Sequence, residues 1–97
     1  METKFREKFE KDLDDITRQE VLDDIAKTIE NVENAEKPQD ISNIKKLKGN
    51  KTAFRIRIGR YRIGIYIIQG VVELQGFYHV IKFINISPIN IAVFIDK

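Results

Sequence analysis

The spacing of apolar residues changes once along the chain, from a helical period to an alternating one. Phe5, Phe9, Leu13 and Ile16 are separated by four, four and three positions, which lines them along one face of a helix. Leu22, Ile25, Ile29 and Val32 form a second such stripe. Thr17-Arg-Gln-Glu20 between them fits a capping box, with Thr17 as N-cap and Glu20 at N3. The second helix is therefore expected to run to about Asn34 and to stop at Pro38, whose ring blocks the helical hydrogen bond. A short strand is expected over Glu2–Arg6. One further helical turn is expected over Asp40–Leu47, from the three-residue spacing of Ile41, Ile44 and Leu47.

From Phe54 the period is two. Phe54-Arg-Ile-Arg-Ile58 and Tyr61-Arg-Ile-Gly-Ile-Tyr-Ile67 alternate strictly, the signature of strands buried on one face. Gly59-Arg60 suits a two-residue hairpin turn of type II′, with Gly in the left-handed position. That turn sets a register: Ile58 faces Tyr61, Arg57 faces Arg62, Ile56 faces Ile63 and Arg55 faces Gly64. Phe54, Ile56, Ile58, Tyr61, Ile63 and Ile65 then share the buried side. A turn beginning at Gln69-Gly70 leads to a third strand over Val71–His79. The expectation is a single α+β domain over 1–97: an N-terminal strand, two helices, then an antiparallel β-meander with both helices on one sheet face. Residues 80–97 form an apolar tail.

Composition narrows the functional classes. At 97 residues, 42% hydrophobic and 33% charged, the chain reads as one ordinary globular unit. It has no Cys and one His, which argues against disulfides, a thiol nucleophile and a zinc site; no metal or other cofactor is expected. The charged start is unlike a signal peptide. Ile63–Ile68 and Ile91–Ile95 are too short to cross a bilayer, so no membrane partner and a cytoplasmic location are expected. The net charge of +2 conceals a division. Residues 1–40 carry 7 Lys/Arg against 13 Asp/Glu, a net of −6, while residues 41–97 carry 10 against 2, a net of +8. A basic half of this kind suits a polyanion, although acidic helices that merely neutralise a basic sheet fit the same numbers.

The outward row of the hairpin carries Arg55, Arg57 and Arg62. Arg57 opposite Arg62 is a like-charge cross-strand pair, which is destabilising, and neither strand contains a carboxylate to relieve it. A phosphate group would, because guanidinium forks match its oxygens. Gly64 beside them leaves room for a ligand near the backbone, and Lys45, Lys46, Lys48 and Lys51 extend the basic track. A solubilising face neutralised by an acidic helix or partner is the competing reading.

Leu47-Lys-Gly followed by Phe54-Arg-Ile-Arg-Ile-Gly-Arg-Tyr-Arg-Ile-Gly resembles the RelE/ParE toxin superfamily. The Phe9-Glu-Lys-Asp-Leu13 segment and the two-helix layout resemble it as well, so the likeness spans about residues 1–79. The resemblance implies a toxin of a toxin–antitoxin system: a RelE-like endoribonuclease that cuts mRNA on the ribosome and inhibits translation, without a metal, and is silenced by a cognate antitoxin. It implies that Arg57 and Arg62 are catalytic, and that Arg55 and the nearby lysines bind RNA phosphate. His79, at the end of the last core strand, would act as acid or base; a lone His at a strand end is also commonly just hydrogen-bonded. Two other readings stay open, a non-catalytic relative that docks on the ribosome or an antitoxin, and a ParE-like inhibitor of DNA gyrase.

The tail departs from the family pattern. The common ending places an Arg directly after the His and a Tyr a few residues on, whereas Val80 and Ile84 occupy those places here. Val80–Pro88 can be written in codons that read Arg-Asn-Lys-Ile-Tyr-Lys-Tyr-Phe-Pro when one base is inserted ahead of them. A one-base deletion after the His79 codon would thus account for the tail, and an ordinary diverged tail is the rival. The expected consequence is weak or absent cleavage. The apolar tail, with Ile84, Ile86, Ile89, Ile91, Val93, Phe94 and Ile95, could add an edge strand, pack on the core or bury against a second copy; an exposed strand would invite pairing with another chain, so a homodimer through it is expected.

Overall fold

The structure is a computed structural model that describes residues 1–79. The tail at 80–97 lies outside the described residues, and with it the expected homodimer contact and the positions of Val80 and Ile84. The chain order is β1 (Glu2–Phe5), α1 (Glu7–Asp14), α2 (Gln19–Asn34), a 3₁₀ turn (Pro38–Asp40), β2 (Ile44–Lys46), β3 (Ala53–Ile58), β4 (Tyr61–Ile68) and β5 (Val71–His79). The five strands form one sheet in the order β1-β5-β4-β3-β2. β2 to β5 pair antiparallel, as a meander does, and β1 joins the far edge parallel to β5. The sheet is therefore mixed, within the expected α+β class.

The helices cover one face. Phe9 from α1 and Val21, Ile25 and Val32 from α2 are buried against Ile56, Ile63, Ile65, Val72, Leu74 and Phe77 of the sheet. Seating a Val, Leu, Ile or Phe side chain in such a layer stabilises the fold by about 1.5–3 kcal/mol. On the other sheet face Leu47 and Ala53 are buried in a smaller cluster, with Tyr66 and Tyr78 packed against them.

Four local expectations need correction. Phe5 precedes α1; it sits in β1, exposed, with its ring centroid 6.0 Å from that of Phe9. The capping box does not form. α2 begins at Gln19 with Arg18 as its N-cap and no side-chain cap bond, and the Glu20 carboxylate pairs with the Arg18 guanidinium instead. Pro38 does not terminate α2, which ends at Asn34 where Ala35 turns extended; Pro38 opens the 3₁₀ turn. Lastly, Ile44–Lys46 is a strand and not a helical turn. Asn43 adopts a left-handed backbone, φ 62°, which breaks any helix there. Positions three apart then fall on opposite faces of a strand: Ile44 packs on the helix-side core and Leu47 in the smaller cluster.

Candidate nucleic-acid interface

The site is built from the β3–β4 hairpin. Gly59 has φ +57° while Arg60 stays out of the left-handed region, the sign pattern of a type II′ turn. The resulting register pairs Ile58 with Tyr61, Arg57 with Arg62, Ile56 with Ile63 and Arg55 with Gly64, as the sequence predicts. Ile56 and Ile63 are buried on the helix side. Alternation therefore puts Arg55, Arg57 and Arg62 in the row facing away from the helices.

The neighbouring strands extend that row. Lys45 of β2 is opposite Arg55, Tyr66 of β4 is opposite Ala53, and Tyr78 of β5 is opposite Arg62. Across three strands the non-helical face thus carries four cations, with Tyr66 and Tyr78 beside them. Among the described residues the same face also carries Glu73, which lies opposite Tyr66 and Lys4 and accepts a hydrogen bond from Gln75 Nε2 at 3.1 Å, and Glu2, opposite Val71 at the far edge. Ion pairs in the helical layer, Lys8–Asp12, Lys11–Glu7 and Arg18–Glu20, spend acidic charge away from this face.

The two opposed arginines are held differently. Arg62 Nη1 donates to the carbonyl oxygens of Gly59 at 3.1 Å and Tyr61 at 3.0 Å, folding the guanidinium against the hairpin turn. Arg57 is exposed, and among the described residues its side chain makes no hydrogen bond or ion pair; its backbone N–H donates to Asn43 O at 3.1 Å. Beside Arg57 an open cleft of about 400 Å³ runs to α2, lined also by Asp24, Lys27, Thr28 and Asn43.

The remaining candidates are scattered. Lys46 is opposite Phe54, in the row that alternates with the arginines. Lys48 and Lys51 are exposed on the loop between β2 and β3, where Asn50 Oδ1 accepts bonds from the backbone N–H groups of Thr52 and Ala53, both at 3.0 Å. His79 ends β5 opposite Tyr61, one step beyond the Tyr78–Arg62 pair and so in the row that alternates with the arginines. The two tyrosines were not among the sequence candidates. Tyr66 was visible there, since it alternates in step with Arg62 and Gly64; Tyr78 was not, because a β-bulge intervenes.

Neither a family model nor a curated protein matches the chain. Among solved structures it is similar to a chain from the crystal structure of a RelB-RelE antitoxin-toxin complex from Methanococcus jannaschii, with 28% sequence identity and a TM-score of 0.73. The match covers 87% of this chain and 98% of that one.

Proposed function

We propose that this chain, which has the RelE-like toxin fold and belongs to the proteins of toxin–antitoxin systems, is the toxin component and grips mRNA on the ribosome with its arginine face. The observation that carries the reading is the Arg57–Arg62 pair, with Arg55 on the same face two pairs further along the hairpin. Opposed guanidinium groups repel each other in the free protein, and an anion between them reverses the sign of that interaction.

The chemistry that suits such a cradle is transfer of a phosphoryl centre within the RNA. The 2′-oxygen attacks the adjacent phosphorus as its proton passes to a base, and the bond to the 5′-oxygen breaks as that oxygen takes a proton from an acid. Arg57 and Arg62 would stabilise the added negative charge on the phosphorus-bound oxygens. Arg55 and Lys45 would hold flanking phosphates, and His79, which ends β5 in the row that alternates with the arginines, would serve in one proton transfer only from the end of the sheet. Lys48 and Lys51 on the preceding loop would prolong the track. A cognate antitoxin with an acidic segment would compete for the same cations.

Val80 and Ile84, standing where the family ending has Arg and Tyr, favour a scaffold that binds more effectively than it cuts. Expression of the chain, followed by primer extension on a translated reporter mRNA, tests the reading. Cuts within ribosome-occupied codons, lost with Arg57→Ala, are the expected outcome. Trapped gyrase–DNA cleavage complexes with an intact reporter would replace this reading with a gyrase inhibitor.

A further inference from the structure

Tyr78 reaches the arginine row only because β5 carries one extra residue. From Ile68↔Val71 to Ile65↔Leu74 the β4–β5 register is regular; beyond the irregularity at Gly64/Ile65 it resumes at Gly64↔Gly76 and continues to Arg62↔Tyr78. Without that slip, Phe77 would stand opposite Arg62, and Tyr78 would stand opposite Tyr61 on the helix side. A bulge of this kind re-aims every side chain beyond it. Here it sends Phe77 into the core, where its ring stacks on Tyr61 with centroids 4.7 Å apart. Tyr78 goes to the other face, half-buried against Leu47 and Ala53.

The bulge is held from outside the sheet. Asp12 Oδ2, on α1, accepts the Phe77 backbone N–H at 2.9 Å and also a bond from Lys8 Nζ at 2.8 Å. Gly76 leaves that carboxylate room: a Cβ there would lie 3.3 Å from Asp12 Oδ2 and 3.4 Å from Lys8 Nζ, so both side chains would have to shift slightly. A side chain from the first helix thus takes up a backbone donor of β5 two residues beyond its extra residue.

We infer that Asp12 is a positioning residue for RNA binding, its carboxylate locking the Gln75–Gly76 bulge so that Tyr78 presents its ring beside Arg62 as a stacking platform for a base. This rests on the RNA reading above. It adds a division of labour, with the arginines taking phosphate and Tyr78 taking the flat face of the adjoining nucleobase.

The two contributions differ in salt dependence, since phosphate contacts release counterions and stacking does not. The test uses the full chain and a short, fluorescently labelled, 2′-O-methylated single-stranded RNA, which resists cleavage, with binding followed by anisotropy over a salt series. Tyr78→Ala is expected to weaken binding about tenfold at an unchanged salt slope, and Tyr78→Phe to bind as wild type. Asp12→Ala should reproduce the Tyr78→Ala loss, again at unchanged slope, and the double variant should bind no more weakly than either single one. Asp12→Asn, whose amide oxygen can still accept the Phe77 N–H, should restore binding. Hydrogen exchange at the Phe77 amide should quicken in Asp12→Ala and not in Asp12→Asn. Gly76→Ala, which crowds the carboxylate without removing it, carries the test if Asp12→Ala does not fold. Wild-type affinity in Asp12→Ala, a loss that adds to that of Tyr78→Ala, or a reduced salt slope overturns the inference and leaves the arginine face standing. Failure of the wild-type chain to bind the RNA at all removes the functional reading and the inference with it.

Discussion

Arg57 and Arg62 face each other across the hairpin but are not equivalent, and the difference makes Arg57 the cleaner probe. Arg62 recovers part of its cost through two bonds to turn carbonyls, so removing it also removes structure. Arg57 is exposed and without such bonds among the described residues, so its removal chiefly relieves repulsion. Like charges directly opposed on antiparallel strands cost some tenths of a kcal/mol, up to about 1 kcal/mol. Arg57→Gln is therefore expected to raise the urea midpoint by an equivalent amount at unchanged m-value while weakening RNA binding and reducing the salt slope by about 0.7, the share of one phosphate contact on a single strand. Arg62→Gln should give the same binding defect with little or no gain in stability. A lower midpoint for Arg57→Gln would mean that the pair is not under repulsion, and the main argument for an anion between them would be lost. Such opposition between stability and activity is common where a site holds strain for function.

At the level of elements, the two β-hairpin turns differ in how well their residues suit their backbones. Gly59 occupies its left-handed position at no steric cost. The second turn has φ +50° at Gln69 and +79° at Gly70, the double-positive pattern of a type I′ turn, for which Asn-Gly is preferred. A glutamine there is strained, by about 1 kcal/mol, and Gln69→Asn is expected to stabilise the fold by roughly half of that or more, read as a higher thermal midpoint with RNA affinity unchanged. No gain would indicate that the Gln69 side chain compensates locally. What the sequence disclosed follows the same division between local and distant causes. The Arg57–Arg62 register was legible because two adjacent strands and a two-residue turn determine it. The β2 strand was not, since Ile41, Ile44 and Leu47 have helical spacing and the reversal is imposed by the left-handed Asn43. The missing capping box reflects competition by Arg18 for the Glu20 carboxylate. The parallel β1–β5 pairing and the Asp12–Phe77 bond, 65 positions apart, arise from packing that no local pattern encodes, which is why Tyr78 was hidden and Tyr66 was not.

For the molecule as a whole, the informative property is that charge and layer coincide. The acidic first part of the chain supplies the helical layer, and the basic second part supplies most of the sheet, within a body only 22 Å across its shortest extent. With a Debye length of about 8 Å at physiological salt, the two faces present distinct potentials, and under the proposed function a polyanion would be steered to the arginine side and away from the helices. Binding and cutting then separate along the chain. In the proposed cradle β5 ends at His79, opposite Tyr61 and next to the Arg62–Tyr78 pair. By the family resemblance an Arg in the next sequence position would bring a fourth guanidinium to the proposed site, and Val80 cannot supply one. Insertion of one base after the His79 codon, if the gene's codons then read Arg-Asn-Lys-Ile-Tyr, is expected to leave affinity for the 2′-O-methylated RNA within a few-fold and to raise ribosome-dependent cleavage by roughly 10²–10³-fold, the usual worth of one electrostatic donor in the transition state. Growth arrest on induction would accompany it. If the codons restore neither Arg nor Tyr, the tail is a diverged one, and the same ending installed by design makes the comparison. Equal cleavage by the native and restored chains would show that catalysis draws on groups other than those at the strand's end.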